Sequence, residues 1–206
     1  MSRFADRTVA EFLDALATSD PTPGGGTAAA VTGAIGVSLL MMVAGLERSR
    51  SGADAERIAL AEARAALSGI RDRFVRLADT DTEAFAQVMS AYRLAKSTDE
   101  EKRARTHAVQ TAMRAATAAP LDTLRVAGEA MRHARIVAEY GNRSAASDVR
   151  VALELLEAAA AGAAANVEIN LTSLDDDELK KSAASDVLEG TNRLTEDAAA
   201  ARAALS

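Results

Sequence analysis

The chain contains no cysteine. That excludes disulfides, thiolate nucleophiles and cysteine-based zinc sites, and it suits a reducing, cytoplasmic setting. Tryptophan is also absent, aromatic residues make up only 3% of positions, and there are three prolines. The two histidines, His107 and His133, lie far apart with no metal-ligand spacing, so no metal is expected. Basic residues are too few for a nucleic-acid binder: a net charge of −6 leaves no basic stripe to displace phosphate counterions. The N-terminal MSRFADRTVAEFLDALA mixes charged and apolar residues and has no signal-peptide core. Only Thr27 to Leu46, TAAAVTGAIGVSLLMMVAGL, is uncharged for the length of a membrane span. Its first half is Ala, Gly and Thr, which transfer weakly into lipid, so it reads as a helix surrounded by protein.

Alanine supplies much of the apolar content and is the strongest helix former. The expected fold class is therefore all-α: one single-domain bundle of long helices over 1–206, with no linker or repeat. A first helix over about Ala5 to Ala17 carries the stripe Val9, Phe12, Leu13, Leu16. A second, over Thr27 to Leu46, is apolar all round, with small residues one turn apart for close packing. A third, Ala53 to Ala95, shows a drifting face of Ile58, Ala61, Ala65, Ile70, Phe74, Leu77, Phe85, Val88, Met89 and Tyr92, with a possible break near Asp79–Asp81. Thr98 to Glu101 has capping-box spacing for the next helix. Pro120 is expected to kink or restart that helix, and Gly141 to end it. A helix capped by Ser144 or Ser147 follows over Ala146 to Leu171, and a last one begins after Ser173-Leu174-Asp175 and ends near Ala204.

Four stretches and one lysine can carry chemistry. In SDPTPGGGTAA, Pro23, Gly24, Gly25 and Gly26 precede Thr27, which is placed to cap the second helix. Helix N-terminal amides bared by glycine can hold an anion, although a flexible turn has the same composition. In LADTDTEAF, Asp79 and Glu83 share a helix face, and Asp81 projects about 160° away, toward the core. A half-desolvated carboxylate there has a raised pKa and suits acid/base work; a solvated acidic surface is the plainer alternative. In YGNRSAASD, Asn142 and Asp148 either cap a turn or face a ligand. Asn166 and Asn170 lie one turn apart on an apolar helix and need partners of some kind. Lys96, at a helix end, either complements the dipole or reaches a pocket.

In order along the chain, PTPGGGTAAA, DTDTEAF, AYRLAKSTDEEKRAR, GNRSAASD and NVEINL resemble the cyclodeaminase/cyclohydrolase family. The resemblance runs from about Phe12 to Asp177. It implies an all-helical homodimer that works on tetrahydrofolate as one-carbon carrier, with no metal or prosthetic group. It places the acid/base aspartate at Asp81, with Lys96 as a second catalytic candidate. Pro23, Gly24 to Gly26 and Thr27 become substrate contacts, with Asn142, Asp148, Asn166 and Asn170 as further ones. Where family members carry a basic segment after the second helix, this chain reads GLERSRSGADAER. Arg48 and Arg50 are the nearby cations there, and Leu94-Ala95-Lys96 stands in place of Leu-Pro-Lys. Three readings follow: a methenyltetrahydrofolate cyclohydrolase, a formimino-tetrahydrofolate cyclodeaminase, or a non-catalytic helical dimer of the same fold.

Overall fold

The computed structural model describes residues 4–205, and these contain helices and no strand. A 3-10 turn, Phe4–Asp6, precedes α1 (Val9–Leu16). Then come α2 (Gly25–Ala44), α3 (Asp54–Tyr92), α4 (Asp99–Tyr140), a second 3-10 turn (Arg143–Ala145), α5 (Ala146–Leu171) and α6 (Asp177–Ala204). The all-α bundle of long helices is what alanine-rich composition dictates.

Two helix starts close on themselves through capping boxes. Thr8 exchanges hydrogen bonds with Glu11 at α1, and Thr98 does so with Glu101 at α4. Each pairs two otherwise orphaned amides. At α6 the cap is Asp176, which accepts from the Leu179 N–H at 3.0 Å. α5 has no side-chain cap, so neither Ser144 nor Ser147 serves it. Asn142 instead caps the 3-10 turn before it, its Oδ1 taking both the amide and the hydroxyl of Ser144, at 2.9 and 2.8 Å.

Close approach of backbones organises the core. α2 runs antiparallel to both α3 and α5: a side chain at Gly26 would meet Asp81, at Gly33 Phe74 and at Gly45 Arg64, while Gly25 faces Asn166 and Gly36 faces Ala152 and Leu156. At Gly33 a Cβ would lie 2.5 Å from the Phe74 ring, so only glycine lets this large core side chain seat fully. The run Ala158 to Ala165 serves the same purpose, burying Ala159, Ala160, Ala163 and Ala164. α4 packs against α3 and α5, and α6 against α4 and α5. α2 is long and apolar enough to cross a membrane, and half of it is buried in the bundle.

The structure departs from sequence expectation at three places. α3 has no break at Asp79–Asp81. Its buried seam is Leu60, Ala63, Leu67, Ile70, Phe74 and Ala78, whereas Ile58, Ala61, Ala65 and Tyr92 are exposed. Both aliphatic stripes fit a helical period, and the positions of α2 and α4 select between them. Third, of the kink or restart expected at Pro120, the restart does not occur: α4 is continuous through it. Proline lacks the N–H that would bond the carbonyl four residues earlier, that of Ala116. The side-chain amide of Asn170, on α5, donates to the Ala116 carbonyl at 2.8 Å instead. Asn170→Ala is therefore expected to cost about 1–3 kcal/mol in urea unfolding, the penalty of a polar group left unpaired. In a Pro120→Ala background, where a backbone N–H returns, most of that loss should vanish.

Candidate active site

α2 begins without a cap of its own. Its N-cap is Gly24, which has no side chain to offer, and Thr27 lies inside the first turn instead of capping it. The negative charge at this N-terminus comes from another helix. Asp81, in the middle of α3, lies so close to Gly26 that a Cβ there would fall 2.2 Å from its Oδ1. The Thr27 hydroxyl donates to Asp81 Oδ2 at 2.9 Å, and the Thr27 backbone also bonds the carboxylate. A carboxylate against the first turn of a helix meets unpaired amides and the positive end of the dipole.

This arrangement explains the glycines. Gly26 makes room for the carboxylate, not for a ligand. Gly25 is exposed, next to the Asn166 side chain, whose Nδ2 donates to the Gly162 carbonyl at 2.8 Å. Pro23 is buried just upstream. Thr27 is 0% exposed, so it touches Asp81 and cannot touch a ligand in this conformation.

Asp81 itself is half-buried. Burial pushes its carboxyl above the ordinary aspartate value, and the Thr27 side-chain and backbone hydrogen bonds pull the other way without cancelling it. Among the described residues no charged neighbour contributes to the shift. A carboxylate poised in this way can take a proton from water and return it. Its neighbours on α3 differ: Asp79 accepts from the Phe4 N–H at 2.8 Å, and Glu83 is exposed.

Within the chain, the other candidates separate by distance. Asn166 stands at the Asp81 end, and Asn170 one turn beyond it, with its amide nitrogen committed to Ala116. Lys96 is exposed in the α3–α4 connection, past the end of α3, which runs about 16 Å beyond Asp81 at 1.5 Å per residue. Arg48, Arg50, Asn142 and Asp148 gather at the opposite end of α2, about 27 Å from Gly26 by the same rise. There Arg48 is exposed and Asp148 half-buried. The Arg50 guanidinium donates to the carbonyls of Glu139 and Ala204 at 3.0 and 2.8 Å, tying the ends of α4 and α6 together. Arg50 and Asn142 are thus engaged in local structure, which motif order along the chain does not reveal.

Neither of two roomy clefts has Asp81 in its wall, although the second reaches Ala28 and Ala78 close by. One of about 580 Å³, between the end of α2 and the start of α3, is lined by Met41, Leu46, Arg57 and Arg64. Another, of about 550 Å³, lies beneath α1 and is walled by Phe12, Val31 and Ile35. Sequence reasoning missed Thr82. It is buried, and its hydroxyl lies 3.1 Å from that of Thr27. The only signal was its place directly after Asp81. Among the described residues no group of three or more His, Asp or Glu side chains gathers that could hold a metal ion.

Fold and site together define an all-helical protein whose half-buried carboxylate is seated on the glycine-rich start of a core helix. Comparison with known proteins gives the same answer. The formiminotransferase-cyclodeaminase family pattern matches residues 8–189. The chain belongs to this family. A methenyltetrahydrofolate cyclohydrolase of Methylorubrum extorquens is 42% identical over 171 residues, covering 83% of this chain and 82% of that protein. The formimidoyltransferase-cyclodeaminase of Rattus norvegicus is 32% identical over 85% of this chain, which spans only 32% of the rat protein. The crystal structure of formiminotetrahydrofolate cyclodeaminase from Thermotoga maritima superposes with a TM-score of 0.87 at 29% identity, over 98% of this chain and 96% of that one.

Proposed function

We propose that the chain is a methenyltetrahydrofolate cyclohydrolase with Asp81 as its acid/base group. The supporting observation is the seat of Asp81: half-buried, raised in pKa, and held by Thr27 against Gly26. The substrate's methenyl carbon is joined to two nitrogens that share one positive charge. The Asp81 carboxylate takes a proton from water as the oxygen bonds to that carbon. The tetrahedral carbon then loses its bond to one nitrogen, which leaves with the proton, and the hydroxyl oxygen sheds its own proton to become the formyl carbonyl. One water is consumed and one proton released. Proton transfer by a placed carboxylate contributes about 10²–10⁴-fold. Asn166 and the exposed Gly25 backbone are the ligand contacts we assign beside Asp81.

The same carboxylate can serve ring closure with loss of ammonia, and the fold likeness to the Thermotoga maritima cyclodeaminase supports that as the second reading. Purified protein supplied with 5,10-methenyl-tetrahydrofolate separates the two. Accelerated loss of methenyl absorbance at neutral pH is expected. Inactivity there, with ammonia released from 5-formimino-tetrahydrofolate, would overturn the first reading in favour of the second.

We also infer a homodimer formed through the outer face of α2. That face shows Ile35 50% and Met42 43% exposed, continues to Leu46, and adjoins the exposed Val9 and Leu13 of α1. It carries no charge between Gly25 and Ala44, so a second copy meets it without like-charge cost, as a self-complementary two-fold contact requires. Light scattering is expected to give a dimer for the natural chain and a folded monomer for Ile35→Glu/Met42→Glu. A monomeric natural chain contradicts this.

A further inference from the structure

The hydroxyl of Thr27 carries one proton and lies near three oxygens: Asp81 Oδ2 at 2.9 Å, Thr82 Oγ1 at 3.1 Å and the Ala78 carbonyl at 3.4 Å. The carboxylate is both the nearest and the only charged acceptor, and charge-assisted bonds are the strongest available. Thr27 therefore donates to Asp81. Between the two threonines either atom could donate on distance alone; with the Thr27 proton spent, Thr82 must be the donor. Both hydroxyls belong to buried side chains, where an unmade hydrogen bond is expensive.

We propose that Thr82 and Thr27 form a one-way hydroxyl chain that holds Asp81 as the base. Thr82 donates to Thr27 and Thr27 donates to Asp81 Oδ2, while Oδ1 lies against buried Gly26 in the first turn of α2; to Oδ1 we assign the attacking water. Both threonines are positioning residues, because neither reaches the substrate. The proposal rests on the cyclohydrolase reading for its catalytic consequence, but not for its geometry.

Among the described residues, burial raises the Asp81 pKa and the Thr27 bonds are what lower it. α2 brings no titratable group, and α5 presents the uncharged Asn166. On α3, Asp79 is tied to the Phe4 N–H and Glu83 is exposed. Thr27 donation stabilises the carboxylate, so weakening it makes Asp81 harder to ionise. The acidic limb of the pH–rate profile, where the base is lost by protonation, should then move to higher pH.

The test compares Thr82→Val, which keeps shape and removes the donor, with Thr82→Ser, which keeps the donor. For Thr82→Val we expect KM within about twofold of the natural chain, kcat lower by about tenfold because the carboxylate is less firmly oriented by one hydrogen bond, and the acidic limb displaced upward. Thr82→Ser should restore both kcat and limb. An unmoved limb in Thr82→Val, or a serine variant that behaves like valine, overturns the proposal. Carbon-13 titration of the Asp81 carboxylate reads the chain without catalysis. A higher midpoint in Thr82→Val supports the chain even if the protein proves inactive on methenyl-tetrahydrofolate, and an unchanged midpoint overturns it. Inactivity of the natural chain in the absorbance assay counts against the cyclohydrolase reading alone.

Discussion

Asp81→Asn is expected to lower kcat by about 10²–10⁴-fold and to raise the melting temperature at neutral pH. The two effects share a cause. Burial makes ionised Asp81 costlier in the fold than in the unfolded chain, which is what its raised pKa records. The group favours the folded state most fully below its unfolded pKa. That contribution is lost as pH rises through the higher folded value, so at neutral pH the charged form burdens the fold. Asparagine carries no charge to desolvate and can still accept from the Thr27 hydroxyl. The thermal gain over the natural chain should therefore be small near pH 4 and grow toward pH 7. Thermal unfolding across that range measures it. A variant less stable than the natural chain at pH 7 would mean that the capping bonds to α2 outweigh burial.

Gly26→Ala should lose activity about as severely, by a hundredfold or more, because displacing a catalytic group by roughly 1 Å can cost that much. The added Cβ would lie 2.2 Å from Asp81 Oδ1 and 2.6 Å from Cγ, distances that no real contact tolerates. The carboxylate must leave its seat and with it the Thr27 bond. Alanine improves helix propensity over glycine by about 0.8–1.0 kcal/mol, yet forcing a methyl into filled space costs about 1–3 kcal/mol. The steric term wins here. Gly69, also in a helix, has open space where a Cβ would go. Gly69→Ala should therefore stabilise the protein and leave turnover unchanged, which isolates the steric effect at Gly26 from propensity. Steady-state kinetics and urea unfolding on the two variants check this together.

Much of the architecture was readable because it is local. Alanine-rich helices and the Thr98 capping box need only neighbouring residues. The Thr8-Val9-Ala10-Glu11 box carries the same signal, and by it α1 starts at Val9, four residues later than the Ala5 start expected from the apolar stripe. The misses involve partners distant in sequence. Pro120 passes through α4 because Asn170, fifty residues later, serves the carbonyl it leaves bare. Thr27 looked like a cap because threonine follows the glycines, but a carboxylate from α3 takes the capping position and draws the threonine inside. Arg50, Asn142 and Asp148 stand near the other motifs in order but at the far end of α2, since antiparallel helices carry successive motifs to opposite ends. Asp81 was readable as a candidate because helical geometry turns it toward the core. The identity of what it meets there was not.

The reacting carbon belongs at the start of α2, beside Asp81. A crystal structure with 5-formyl-tetrahydrofolate tests this most directly. The prediction is a one-carbon group within hydrogen-bond reach of Asp81, directly or through one water, with Gly25 and Asn166 alongside. A ligand seated instead at the opposite end of α2, among Arg57, Arg64 and Leu46, with Asp81 untouched, would contradict it.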